Sequence, residues 1–156
     1  CDSLMVMTSM SLRDDIMGGD SLYTAEVRSV KRITAVRSSG VKLAVFLDEV
    51  FKGTNTVERI ASLSALLKAM ASDSLCFAAT HDTPLTHILE DIYSNYHFEE
   101  EISESGISFP YELKKGRTDS KDAIKLLQVM GFDKEITDQA FSLSDSFLKE
   151  GVWKKL

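Results

Sequence analysis

Asp48 and Glu49 stand side by side directly after the apolar run LAVFL at residues 43–47, and His81 closes a second run, SLCFAAT, at residues 74–80. Two carboxylates and an imidazole suit metal-assisted attack by water. One carboxylate holds Mg²⁺, directly or through water, and its neighbour orients or deprotonates the nucleophile. Plainer roles stay open at this level: an acid at a strand end can be a solvated turn residue, and a lone histidine a capping or hydrogen-bonded structural group. A third stretch, DDIMGGDS at 14–21, places Gly18, Gly19 and Ser21 just ahead of a helical pattern. Free backbone N–H groups and the helix dipole favour a phosphate there, and a loop with a Ser N-cap is the alternative.

The elements that must position these groups follow from the hydrophobic periodicity. Residues 4–8 read as a short strand. Leu22, Ala25, Glu26, Val30, Ile33 and Val36 give the spacings of three and four of an amphipathic helix, which ends before Ser38-Ser39-Gly40. Residues 41–47 form a short continuous apolar run, as a buried parallel strand does. After the turn Gly53-Thr54-Asn55-Thr56, Ile60, Leu63, Leu67 and Met70 restart helical spacing, with Asn55 or Thr56 as N-cap. Residues 74–80 read as a second buried strand, and Thr83-Pro84 starts a short helix. Strand and helix alternate, which indicates an α/β fold with a mainly parallel sheet flanked by helices. In such sheets ligands sit outside the carboxyl ends of the strands, where Asp48, Glu49 and His81 are expected.

Beyond residue 95 the pattern changes. Residues 96–103 and 106–116 read as the two strands of an antiparallel β-hairpin, and residues 120–130 and 134–149 as a C-terminal helical hairpin broken at Gly131-Phe132-Asp133. The expected organisation is one domain over 1–116 and a helical hairpin over 117–156.

Composition narrows the function classes. A net charge of −6 over 156 residues speaks against a nucleic-acid face on this chain, because such faces cluster Lys and Arg. Two cysteines are too few for a disulfide framework, and Cys76 lies in an apolar run as a reduced core thiol does, so an intracellular, cytoplasmic setting is expected. No stretch approaches the ~18 apolar residues of a membrane span. The chain opens at Cys1 and moves at once into LMVM, which suggests a piece of a longer protein.

Taken together, the segments resemble the ATPase domain of the MutS mismatch-repair family, within the ABC-type ATPases. LAVFLDE resembles its Walker B strand, FKGTNT its Gly-x-Gly-Thr-Ser/Thr-Thr-like turn, AATHD its switch-histidine segment, and DDIMGGDSLYTAE its signature segment with a helical Glu. The resemblance covers nearly the whole chain. It implies that Asp48 holds Mg²⁺, that Glu49 activates water, that His81 senses the γ-phosphate of ATP, that Gly19 and Ser21 are nucleotide-binding, and that Ser21 reaches the γ-phosphate bound by the opposite subunit. It implies a homodimer packed through the closing helices, with DNA held by domains outside this chain.

The chain also departs from that pattern. Nothing in it reads G-x-x-x-x-G-K-[ST], the loop that cradles the phosphates, so by itself it is expected to bind ATP poorly and hydrolyse none. Leu22 replaces the usual Thr after the signature Ser, Val57-Glu58-Arg59 replaces a Tyr/Asp-Gly run, and Ala123 stands at a position usually Gly, all marks of a divergent branch. Two other functions remain in view: a non-catalytic dimerisation module, and an ABC-type ATPase outside mismatch repair, although IMGGDS lacks the Leu-Ser that opens the signature there. A metal set drawn from His81, Asp82, His87, Glu90 and His97 has poor spacing for one helical face.

Overall fold

A computed structural model describes residues 3–10, 22–103, 106–118 and 122–155. The chain forms two compact units, Cys1–Asn95 and Tyr96–Leu156.

The first unit runs β1 (Met5–Met10), α1 (Leu22–Arg37), β2 (Leu43–Asp48), α2 (Thr56–Met70), β3 (Ser74–Ala79) and α3 (Thr83–Ile88). Its strands pair in parallel in the order β1-β2-β3, so Leu47 lies opposite Ser9 and Ala78, and Asp48 opposite Met10 and Ala79. Parallel neighbours need crossover connections, and α1 and α2 follow β1 and β2 in that role. The α/β pattern expected from the sequence is therefore present.

The core lies on one face of this sheet. Leu43, Val45 and Leu47 alternate along β2 and join Val30 and Ile33 of α1, Leu63, Leu67 and Met70 of α2, and Leu85 and Leu89 at α3 in one apolar cluster. Removing each of these larger side chains from water stabilises the unit by about 1.5–3 kcal/mol. At the far end of α1, Arg37 Nε donates to Asp73 Oδ1 at 2.7 Å and Nη2 to Ser72 Oγ at 3.0 Å, tying the helix end to the loop before β3.

One expectation fails here. Residues 74–80 read as a buried strand, yet β3 is largely exposed, with Leu75 and Phe77 at 55% and 50%. Among the described residues the strand pairs only with β2, and the apolar cluster occupies the other face of the sheet. Leu75 and Phe77 share their face with Val6, Phe46 and Met10, where Phe77 stacks on Phe46 at 5.0 Å. An apolar run gives the length of a strand but not its place in the sheet.

The second unit contains β4 (Tyr96–His97), β5 (Glu101–Ser103), β6 (Gly106–Ser108), β7 (Lys114–Lys115), α4 (Asp122–Val129) and α5 (Lys134–Glu150). β5 pairs with β6 and β4 with β7, both antiparallel, so the expected hairpin exists as two nested pieces. Pro110, which has no N–H to give a ladder, and Tyr111, at φ +55°, interrupt the second arm. The helical pair follows as expected. Gly131 takes φ +82° between the helices, and Gly151 ends α5 at φ +71° with its N–H donating to Phe147 O at 2.7 Å.

Candidate functional site

The parallel register brings the ends of β2 and β3 together. β2 finishes at Asp48, opposite Ala79, and the N–H of Glu49 donates to Ala79 O at 3.0 Å, one step past the strand. The backbone then turns sharply, because Glu49 and Phe51 take φ +45° and +68°. Left-handed conformations cost a non-glycine residue about 1–2 kcal/mol, and they concentrate where a site requires a special geometry.

That corner delivers Glu49 to His81. Nε2 of His81 lies 2.5 Å from Glu49 Oε1, with the carboxylate 20% exposed and the imidazole 93% exposed. The other oxygen, Oε2, is paired with Lys52 Nζ. Lys52 also feels Asp48 and Glu26, and its ammonium pKa is raised above the ordinary lysine value, first by the hydrogen bond to Glu49 and then by the charges around it. Asp48 is half-buried beside this group. Among the described residues no cluster of three or more His, Cys, Asp or Glu could hold a metal ion. A single carboxylate at a strand end nonetheless fits Mg²⁺, which keeps several waters and takes one or two protein carboxylates along with substrate phosphates.

The turn after the acid pair is held from behind by α1. A Cβ on Gly53 would lie 2.6 Å from Tyr23 Cβ and 3.1 Å from Tyr23 Cα and N, so only glycine lets the helix come this close. The Tyr23 and Phe51 rings meet edge to face at 6.1 Å. Glu26, one turn along α1, is 6% exposed. Burial raises its carboxyl pKa, while the amides of Gly53, Phe51 and Lys52 and the Lys52 charge draw it back, and among the described residues its Oε2 has no hydrogen-bond partner.

On the other side, Arg59 of α2 grips Asp82 with two hydrogen bonds of 2.7 Å, Nε to Oδ2 and Nη2 to Oδ1. The guanidinium pKa rises further above its ordinary value, chiefly through Asp82 and partly through Glu49. Asp82 N in turn donates to Thr80 Oγ1 at 3.0 Å.

Of the residues singled out by sequence, Glu49 and His81 meet at the carboxyl ends of β2 and β3, with Asp48 next to Glu49 at the last position of β2. Gly19 and Ser21 lie outside the described residues. Sequence reasoning missed Lys52, the buried setting of Glu26, and the Arg59–Asp82 pair. Lys52 had a local signal, three residues after Glu49 in the same turn, whereas Arg59 and Asp82 are 23 positions apart and carry none. His87, in α3, lies 3.3 Å from Glu90 just past the end of that helix. No helix among the described residues is long and apolar enough to cross a membrane.

Residues 3–147 match the family model described as MutS domain V. A DNA mismatch repair protein MSH3 from Saccharomyces cerevisiae is 32% identical over 94% of this chain and 15% of its own length. A DNA mismatch repair protein MutS from Thermosipho melanesiensis is 30% identical over 97% of this chain and 20% of its own length, and an MSH3 from Candida glabrata 28% identical over 91% and 14%. The chain thus spans between one seventh and one fifth of the relatives it matches. Matched along almost its entire length, the chain belongs to the MutS family.

Proposed function

We propose that this chain is the part of a MutS-family ATPase that supplies the hydrolytic carboxylates and the switch histidine of a partial ABC-type nucleotide site. The observation that carries this reading is the meeting of Glu49 and His81 across the ends of two adjacent parallel strands, beside the half-buried Asp48.

In this reading Asp48 holds Mg²⁺, which when bound neutralises phosphate charge during phosphoryl transfer. Glu49 orients a water for in-line attack on the γ-phosphorus and accepts its proton as the new P–O bond forms. The bond to the bridging oxygen breaks and ADP leaves with the electron pair. Both Glu49 oxygens are engaged by exposed side chains, His81 and Lys52, either of which can yield its place to water. His81 then faces the γ-phosphate and reports its presence. Gly19 and Ser21 bind nucleotide, Ser21 at the site of a partner copy, and the phosphate-cradling loop comes from sequence outside this chain.

The relatives are DNA mismatch repair proteins by name, and we extend to the whole protein a role in DNA repair as a cytoplasmic homodimer, with DNA bound outside this segment. α4 and α5 form the dimerisation element in this scheme. The exposed apolar residues Ile136, Leu148 and Trp153 on and after α5, with Trp153 stacked on Phe147 at 4.3 Å, favour that use of the second unit.

The test is Mg²⁺-dependent ATP turnover by the full-length protein, wild type and Asp48→Asn. Turnover that requires Mg²⁺ and falls at least 100-fold in the variant supports the reading, on the scale of losing a positioned charge. Equal turnover in both overturns the role of Asp48.

A further inference from the structure

The pairing of Arg59 with Asp82 is built more firmly than a surface ion pair. Both side chains are mostly buried, at 21% and 12% exposure, and the two parallel 2.7 Å bonds use the planar fork of the guanidinium against both carboxylate oxygens. Asp82 occupies the N-cap position of α3, where an aspartate ordinarily accepts a backbone N–H of the first helical turn, yet it makes no side-chain cap bond. Its carboxylate is committed to α2 instead.

Asp82 follows His81 directly. Its N–H is fixed to Thr80 Oγ1, and Thr83 N donates to His81 O at 3.1 Å, so the segment 80–83 is closed by its own hydrogen bonds and anchored at one point to Arg59. The His81 side chain, 93% exposed, has little packing to hold it, and its recorded partner is Glu49. The anchor therefore has to come through the backbone.

We propose that Arg59 is a positioning residue for His81: acting through Asp82, it sets the 80–83 corner so that the imidazole reaches Glu49. This rests on the hydrolytic reading above for its catalytic consequence, while the geometric consequence stands by itself. A lysine at 59 supplies the charge without the fork, so it holds the corner less well.

The experiment uses the full-length protein with Arg59→Ala, Arg59→Lys, Asp82→Asn and the exchange Arg59→Asp/Asp82→Arg. Three quantities are read: steady-state kcat for ATP, affinity for a fluorescent ATP analogue, and the rate at which diethylpyrocarbonate modifies His81, mapped by peptide mass spectrometry with His87 and His97 as internal references. The expected result is a severalfold faster modification of His81 alone in Arg59→Ala. With it comes a fall in kcat of about tenfold or more at a temperature where the variant stays folded, nucleotide affinity within twofold of wild type, a lower melting midpoint from the carboxylate left unpaired, and partial recovery of both His81 readouts in the exchange variant. Unchanged His81 modification in Arg59→Ala overturns the proposal, as does a loss of kcat that follows the loss of melting midpoint. A wild type without turnover whose His81 still responds to Arg59→Ala would remove the hydrolytic reading and leave the positioning role standing.

Discussion

His81 Nε2 stands 2.5 Å from Glu49 Oε1, although the two residues leave different strands and are 32 positions apart in the chain. The parallel register makes this possible: Asp48 pairs with Ala79, and the Glu49 N–H then bonds Ala79 O at 3.0 Å before the backbone turns left-handed. Side chains from sequence-distant places meet because their strands end level.

Gly53 sets how closely α1 can approach the turn that follows Glu49. Gly53→Ala brings a Cβ to 2.6 Å from Tyr23 Cβ with Tyr23 backbone atoms just behind it, so the turn or the helix must shift. The expected cost is about 1–3 kcal/mol, seen as a lower urea midpoint at unchanged m-value. An unchanged midpoint would mean that the approach is looser than described.

The start of α2 depends on Asn55, whose side-chain oxygen accepts the Glu58 N–H at 2.9 Å. Asn55→Ala is expected to destabilise by about 0.5–2 kcal/mol, and Asn55→Asp to keep most of that, because it preserves the acceptor and adds a charge favoured at a helix N-terminus. Thermal melting of both variants beside the wild type checks the difference.

In the second unit His97 is held at both ring nitrogens, Nδ1 at 3.0 Å from Gly116 O and Nε2 at 2.9 Å from Glu99 Oε1. Both partners are acceptors, which favours the doubly protonated ring, and the pKa is raised, first by Glu99 and then by the Gly116 carbonyl. Because the folded value lies above the unfolded one, this contribution to stability is complete below about pH 6.5 and is lost as pH rises through the folded value. Glu99 has the opposite sense: Lys114 and His97 lower its pKa, so its contribution is present above the ordinary Glu range and lost as pH falls. Melting midpoints across pH 5–9 are expected to decline on the alkaline side in wild type and to do so less in His97→Gln. Parallel curves would contradict the assignment.

Much of this molecule was legible in its residues. The spacing from Leu22 marks α1, the Ser-Ser-Gly stop marks its end at Arg37, and Asn55, one of the two cap residues before Ile60, is the N-cap of α2. Asp48, Glu49 and His81 could be placed at strand ends because short apolar runs followed by polar residues mark where a parallel strand leaves the core. The exposure of β3 was not legible, since it depends on which sheet face the helices cover and not on the strand's own residues. Nor was the Arg59–Asp82 pair, which arises only once α2 lies beside the segment after β3. Pro110 lies where the second hairpin arm breaks, and which residues resume pairing beyond it, Lys114 and Lys115, depends on the partner strand β4.

The proposed ATPase stands or falls on water activation by Glu49, which ATP turnover and nucleotide binding of the full-length protein, wild type beside Glu49→Gln, decide. Turnover is expected in the wild type, with a loss of about 100-fold or more in kcat in the variant and ATP affinity equal to or tighter than wild type, because Gln keeps the shape of the site and removes the proton acceptor. Turnover in Glu49→Gln equal to that of the wild type, or none in a folded wild-type protein that binds ATP, would contradict it.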